Sequence, residues 1–152
     1  MLVFDRAILK RYWPADDKGE EGEIIRTVVV QIDAEVDNSR QVGELFNNMV
    51  RGLVRVTLED NLTGDQYTLP AVTIKPFSIK QKKVKLGQGD DVDVVKSEFA
   101  GLTLTSKLGQ DGGTILSDLY RYFNIELQMT VEEFRLTVPN PPSSTEQEEK
   151  ES

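Results

Sequence analysis

The chain has 152 residues with no histidine and no cysteine, and it carries a formal net charge of −8. Without imidazole or thiol side chains, Ser-His-Asp and Cys-His nucleophiles are excluded, together with almost all zinc and iron–sulfur sites. What survives is carboxylate or lysine chemistry and oxygen-ligated magnesium or calcium, and no motif for any of these is present.

Hydrophobic residues make up 38% of the chain and charged residues 29%, the balance of an ordinary globular domain. No apolar run approaches the roughly 20 residues of a membrane span. The opening Met1-Leu2-Val3-Phe4-Asp5-Arg6 puts its charges in the wrong order for a secretory signal. The expectation is a cytoplasmic protein that needs no cofactor and no membrane.

Residues 2–13 fit two patterns. Phe4, Ile8 and Tyr12 have helical spacing, whereas a strand over 2–13 would form a long hairpin with the segment that follows the polar loop Pro14 to Gly22. The strand is the preferred reading. From Ile24 the chain alternates: Ile24, Val28, Val30, Ile32, Ala34 and Val36 share one face, and Thr27, Gln31, Asp33 and Glu35 the other. A helix follows, capped at Asn38 or Ser39 with Asn38-x-x-Gln41 as a capping box and Gly52 as its stop. Val42, Leu45, Phe46, Met49, Val50 and Leu53 fall on one apolar stripe, which predicts a face wholly given to the core.

Next comes a hairpin whose register can be stated. Leu58 should oppose Tyr67, Val56 should oppose Leu69 and Thr57 should lie across from Thr68, with Gly64 in the turn. Pro76 interrupts the following segment and predicts a bulge or a sheet edge there. A second hairpin should set Val84 against Val94 and Leu86 against Val92, with Lys85 paired to Asp93. Leu102 and Leu104 mark a further strand. A second helix is capped by Thr114, faces inward with Ile115, Leu116, Leu119, Tyr122 and Phe123, and ends at Asn124. A last strand carries Ile125, Leu127, Met129 and Val131.

The fold class that follows is α+β: a mainly antiparallel, hairpin-rich sheet, curled or barrel-like, with two helices. It occupies 1–138 as a single domain. Residues 139–152 have no apolar side chain outside prolines and predict a disordered acidic tail.

The charge is uneven. Residues 74–89 hold five lysines and no acid, inside an otherwise acidic chain. Lys75, Lys80, Lys82, Lys83 and Lys85, with Phe77 among them, have the composition of a surface that neutralises phosphates and stacks a base. Lys10, Arg11, Tyr12 and Trp13 repeat the mixture, as do Tyr120, Arg121 and Tyr122. The structural alternative is edge protection, because lysines on an edge strand block edge-to-edge pairing. Asp90, Asp91 and Asp93 lack the trailing glutamate of a calcium loop. Gly87-Gln88-Gly89 sits in a hairpin, and Gly109 to Gly113 lacks a P-loop lysine, so both read as turns. No carboxylate pair is set up for hydrolysis.

The expected function is a non-catalytic binding or assembly module acting through an exposed sheet surface, with another protein or further copies of itself as partner. The alternative is a single-stranded nucleic-acid binder that uses Lys75, Phe77, Lys80, Lys82, Lys83 and Lys85, together with Lys10, Arg11 and Trp13.

Overall fold

The computed structural model describes residues 1–86, 93–108 and 112–134. The expected acidic tail, 139–152, lies outside the described residues, as do Asp90, Asp91 and most of the second glycine loop. Among the described residues, seven strands and two helices follow in the order β1 (Leu2–Lys18), β2 (Ile24–Val36), α1 (Ser39–Arg51), β3 (Leu53–Asp60), β4 (Gln66–Ile74), β5 (Ser78–Leu86), β6 (Asp93–Lys107), α2 (Gly112–Tyr120) and β7 (Glu126–Glu133). The sheet order is β2-β1-β7-β3-β4-β6-β5, with an additional pairing of β2 to β6. That extra pairing closes β1, β2, β6, β4, β3 and β7 into an antiparallel ring and leaves β5 outside it. Among the described residues no helix is long and apolar enough to cross a membrane.

The length of β6 explains how one sheet is both a closed ring and an open edge. One side of β6 runs along β2 from Lys107 to Glu98. Its other side pairs with β4 only at Leu104, Thr105 and Ser106, and then with β5 from Gly101 to Asp93. The chain crosses from β4 to β5 through Lys75-Pro76-Phe77, where proline cannot donate to a ladder, and β5 becomes an edge strand.

Alternation drives the ring. Phe4, Leu9, Val28, Ile32, Leu58, Leu69, Leu102, Leu104, Leu127 and Met129 point inward and are fully buried. In β1 the inward residues step Leu2, Phe4, Ala7, Leu9, Tyr12, so the period of two breaks twice. Register shifts lie at the same places, between Phe4 and Ala7 against β7 and between Leu9 and Arg11 against β2. Ile8, which completes the helical spacing with Phe4 and Tyr12, lies outside the inward set, opposite Asp33 and Glu126.

The first hairpin forms in the expected register, Leu58 with Tyr67, Thr57 with Thr68 and Val56 with Leu69, and the two threonine hydroxyls lie 3.1 Å apart. The second does not. Val84 pairs with Val95, Lys85 with Val94 and Leu86 with Asp93, one residue from the expected alignment. Val94 and Val95 are adjacent valines, so alternation alone cannot choose between the two phases. The directly opposed pair on this ribbon is Lys83 with Lys96 rather than a lysine with an aspartate.

Helix α1 keeps its capping box: the Asn38 side chain accepts from Gln41 N–H at 3.1 Å and Gln41 Oε1 accepts from Asn38 N–H at 3.3 Å. The Gln41 amide also donates to the Val3 carbonyl at 2.9 Å, which ties the helix start to β1. The stripe expected to be wholly core is only partly so. The buried line is Gln41, Leu45 and Asn48, while Phe46, Val50 and Leu53 are 46%, 82% and 45% exposed. The polar anchors rotate the helix so that one edge of its apolar face stays outside.

Candidate cationic groove

The outer face of β1, β2, β5 and β6 carries the groove. Its first element is the bulge in β1. Leu9 pairs with Ile32 and Arg11 with Gln31, so Lys10 is an inserted residue without a partner on β2. A bulge re-aims side chains; here Lys10 and Arg11 are both exposed and both line the same groove, where strict alternation would have sent one of them inward.

The second element is register. Ser78 lies opposite Gly101 and Gly101 opposite Asp33, while Lys80 lies opposite Phe99 and Lys82 opposite Ser97. Ser78, Lys80 and Lys82 therefore stand on the same outward face as Asp33 and Gln31. Gly101 makes room: a Cβ there would come within 3.3 Å of the Lys80 Cε and Nζ atoms and 3.8 Å of Asp33 Oδ1. The result is a groove of about 400 Å³ lined by Lys10, Arg11, Lys80 and Lys82, with Gln31, Ser78 and Thr103 as neutral partners.

One carboxylate sits among these four cations. Asp33 Oδ2 accepts from Lys82 Nζ at 2.7 Å and lies 3.9 Å from Lys10 Nζ. Asp33 is 14% exposed, whereas Lys82 and Lys10 are 40% and 48% exposed. The Lys82 ammonium also lies 4.9 Å from the centre of the Phe99 ring. Arg6 does not add to this field, because it is taken up by Glu126 at 2.7 Å and Glu35 at 3.4 Å. Asp33 compensates one of the four charges, so the groove has a local excess of positive charge in an acidic protein.

An aromatic depression adjoins the groove and shares Lys10 and Arg11 with it. It measures about 350 Å³ and is completed by Tyr12, Trp13, Tyr120 and Phe123. The chain after α2 is clipped onto the β1 bulge: Leu9 bridges Phe123, and Asn124 N–H donates to the Leu9 carbonyl at 3.0 Å. Asn124 takes a left-handed φ of 59°, which turns the chain into β7. Tyr12 meets Phe123 edge-on at 6.0 Å, and the Arg11 guanidinium lies 5.1 Å from the Trp13 ring centre. Tyr120 stands free at 72% exposure.

The residues expected to form one site divide. Lys10, Arg11, Lys80 and Lys82 converge, with Trp13 beside them. Lys75 is exposed beyond the end of β4, in a neighbouring depression with Thr73, Thr105 and Lys107. Phe77 turns away and stacks on Phe46 of α1 at 4.7 Å. Lys83 alternates to the opposite face of β5, and the side chain of Lys85 lies outside the described residues. Arg121 faces Asp65 at 3.6 Å, and Tyr122 is buried against Tyr67. Asp33, Gln31, Ser78 and Gly101 were not legible as site residues. The one available signal was the three-residue step from Leu9 to Tyr12.

Among the described residues no cluster of three or more acidic side chains is placed to hold a metal ion. Comparisons with protein-family models, with curated proteins and with solved structures gave no match.

Proposed function

We propose that the protein is a non-catalytic binding module that works through the outer face of its sheet, and that this face takes a polyanion. The observation that carries the reading is the convergence of Lys10, Arg11, Lys80 and Lys82, from two distant segments, on one groove containing a single carboxylate. Edge protection accounts for lysines on β5, since it is an edge strand. Beyond Leu9, among the described residues, β1 also pairs on one side only, with β2, so edge protection explains cations on each strand separately. It does not explain a bulge that turns Lys10 and Arg11 into the same groove as Lys80 and Lys82.

Cation-exchange chromatography tests this directly. A chain with pI near 4.6 is anionic at pH 7, and only a local cationic field would hold it on a sulfonated or phosphorylated matrix. The wild type should be retained at low ionic strength, and Lys10→Glu with Lys80→Glu should flow through. Flow-through of both would remove the reading.

A second surface favours a protein contact. Phe46, Val50 and Leu53 expose apolar area on the flank of α1, with Phe77 packed beside Phe46. This flank supports assembly with a protein partner or with further copies of the chain.

A further inference from the structure

We infer that the polyanion is a single-stranded nucleic acid, with phosphates held at Lys10, Arg11, Lys80 and Lys82 and unpaired bases stacked against Trp13 and Tyr120. The inference rests on the reading of the groove as a polyanion site and adds the identity of the ligand.

The decisive feature is that charge and aromatic surface are contiguous. Lys10 and Arg11 belong to both depressions, so a chain whose phosphates run along the groove brings its next residues over the aromatic floor. An anion without flat apolar groups gains nothing from Trp13, Tyr120 and Phe123. A duplex gains little, because its base faces are already stacked on each other. An unpaired base offers a π-face to an aromatic side chain, and this contact tolerates any base. Arg11 contributes twice, since its guanidinium lies against Trp13 and continues that platform toward the phosphates.

The chemistry of the groove also sets what is read. Ser78, Gln31 and Thr103 supply neutral hydrogen-bonding groups near the cations. Discrimination among bases should be slight. The track has a closed end: Asp16, Asp17, Glu20, Glu21 and Glu23 crowd the far end of the β1–β2 hairpin and repel a phosphate chain there.

Trp13 is the single tryptophan of the chain, so its fluorescence reports on this site alone. The full-length protein is titrated at low salt with oligothymidine, with an abasic deoxyribose-phosphate oligomer of the same length, with the matching duplex and with oligoglutamate. Oligothymidine should quench Trp13 and bind about 5- to 150-fold tighter than the abasic oligomer, the range expected from stacking one base. Trp13→Ala and Tyr120→Ala, read by anisotropy of labelled oligomers, should bring oligothymidine close to the abasic affinity, with a smaller loss for the abasic oligomer than for oligothymidine in each variant. Tyr120 is exposed and Trp13 half-buried, and circular dichroism verifies that the variants fold.

Equal binding of the abasic oligomer and oligothymidine would overturn the nucleic-acid inference and leave the polyanion reading standing. Tighter binding of the duplex would overturn it as well, since the contact would then be to backbone alone. Tighter binding of oligoglutamate would assign the groove to an acidic protein segment. Failure of every anion to bind would overturn the polyanion reading itself.

Discussion

Asp33→Asn should strengthen anion binding, an outcome opposite to that of most substitutions in a binding site. Asp33 is the one carboxylate in the groove, 2.7 Å from Lys82 Nζ and 3.9 Å from Lys10 Nζ, and the amide keeps its shape. A unit charge about 5 Å from a phosphate is worth about 0.8 kcal/mol at the dielectric of water, or about fourfold in affinity. The salt dependence gives a second reading of the same event. Each phosphate neutralised on a single strand contributes about 0.7 to the slope of log K against log salt. With Asp33 shared between Lys82 and Lys10 and offsetting one of the four cations, a net three charges give a slope of about −2.1, and removing the carboxylate charge steepens it to about −2.8. Raising salt from about 50 to about 200 mM should thus weaken the wild type about 20-fold and the variant about 50-fold. Because both lysines are more than a third exposed, losing the ion pair should cost at most about 1 kcal/mol of stability. Anisotropy of a labelled oligothymidine across a salt series measures affinity and slope together. Unchanged affinity with an unchanged slope would refute the placement of Asp33 in the binding surface.

Other consequences are independent of the groove. Leu58→Ala removes a fully buried side chain from the ring interior and should cost about 2–5 kcal/mol, read from the urea midpoint. Asn38→Ala removes the acceptor for Gln41 N–H and should cost about 1 kcal/mol in the same assay. The Asp60 carboxyl is held below its ordinary range, chiefly by the Leu62 N–H, with partial burial opposing and Thr63 assisting. A depressed carboxyl stabilises the fold above its unfolded pKa and loses that contribution as pH falls through the folded one, so Asp60→Asn should flatten the loss of stability below about pH 4. If the α1 flank is an assembly surface, sedimentation equilibrium should show mass rising with concentration, and Val50→Glu, at a position 82% exposed, should abolish the rise without lowering the melting temperature.

How much of this was legible follows from what alternation can and cannot encode. The inward residues of β2 from Val28 to Val36 and the β3–β4 register follow from a period of two and occur as expected, whereas Ile24, beyond the last residue of β2 paired with β6, is 69% exposed and Thr27 is buried. The β5–β6 register slips by one because Val94-Val95 satisfies either phase. Helix α1 was identified with its cap, yet its orientation was not. The hydrogen bond from Gln41 to Val3 spans 38 residues, and burial of Gln41 and Asn48 at the expense of Phe46 and Val50 is a tertiary choice that hydropathy does not register.

The basic island was visible as composition, but alternation splits it. Lys80 and Lys82 face one way and Lys83 the other, while Phe77 is claimed by Phe46. What completes the groove comes from β1 and β2, through a bulge and a closed ring that pair residues 10 and 33 with residues 80 and 101. Closure depends on the pairing of β2 with β6, a contact between segments some 70 residues apart that no local pattern announces.

The most direct test of the central claim is the map of amide chemical-shift changes on titration with oligothymidine. The outer-face groove predicts changes at Lys10–Trp13, Gln31–Asp33, Ser78–Lys82, Gly101–Thr103 and Tyr120, with little change along α1. Changes concentrated at Phe46, Val50 and Phe77, or no changes at all, would contradict it.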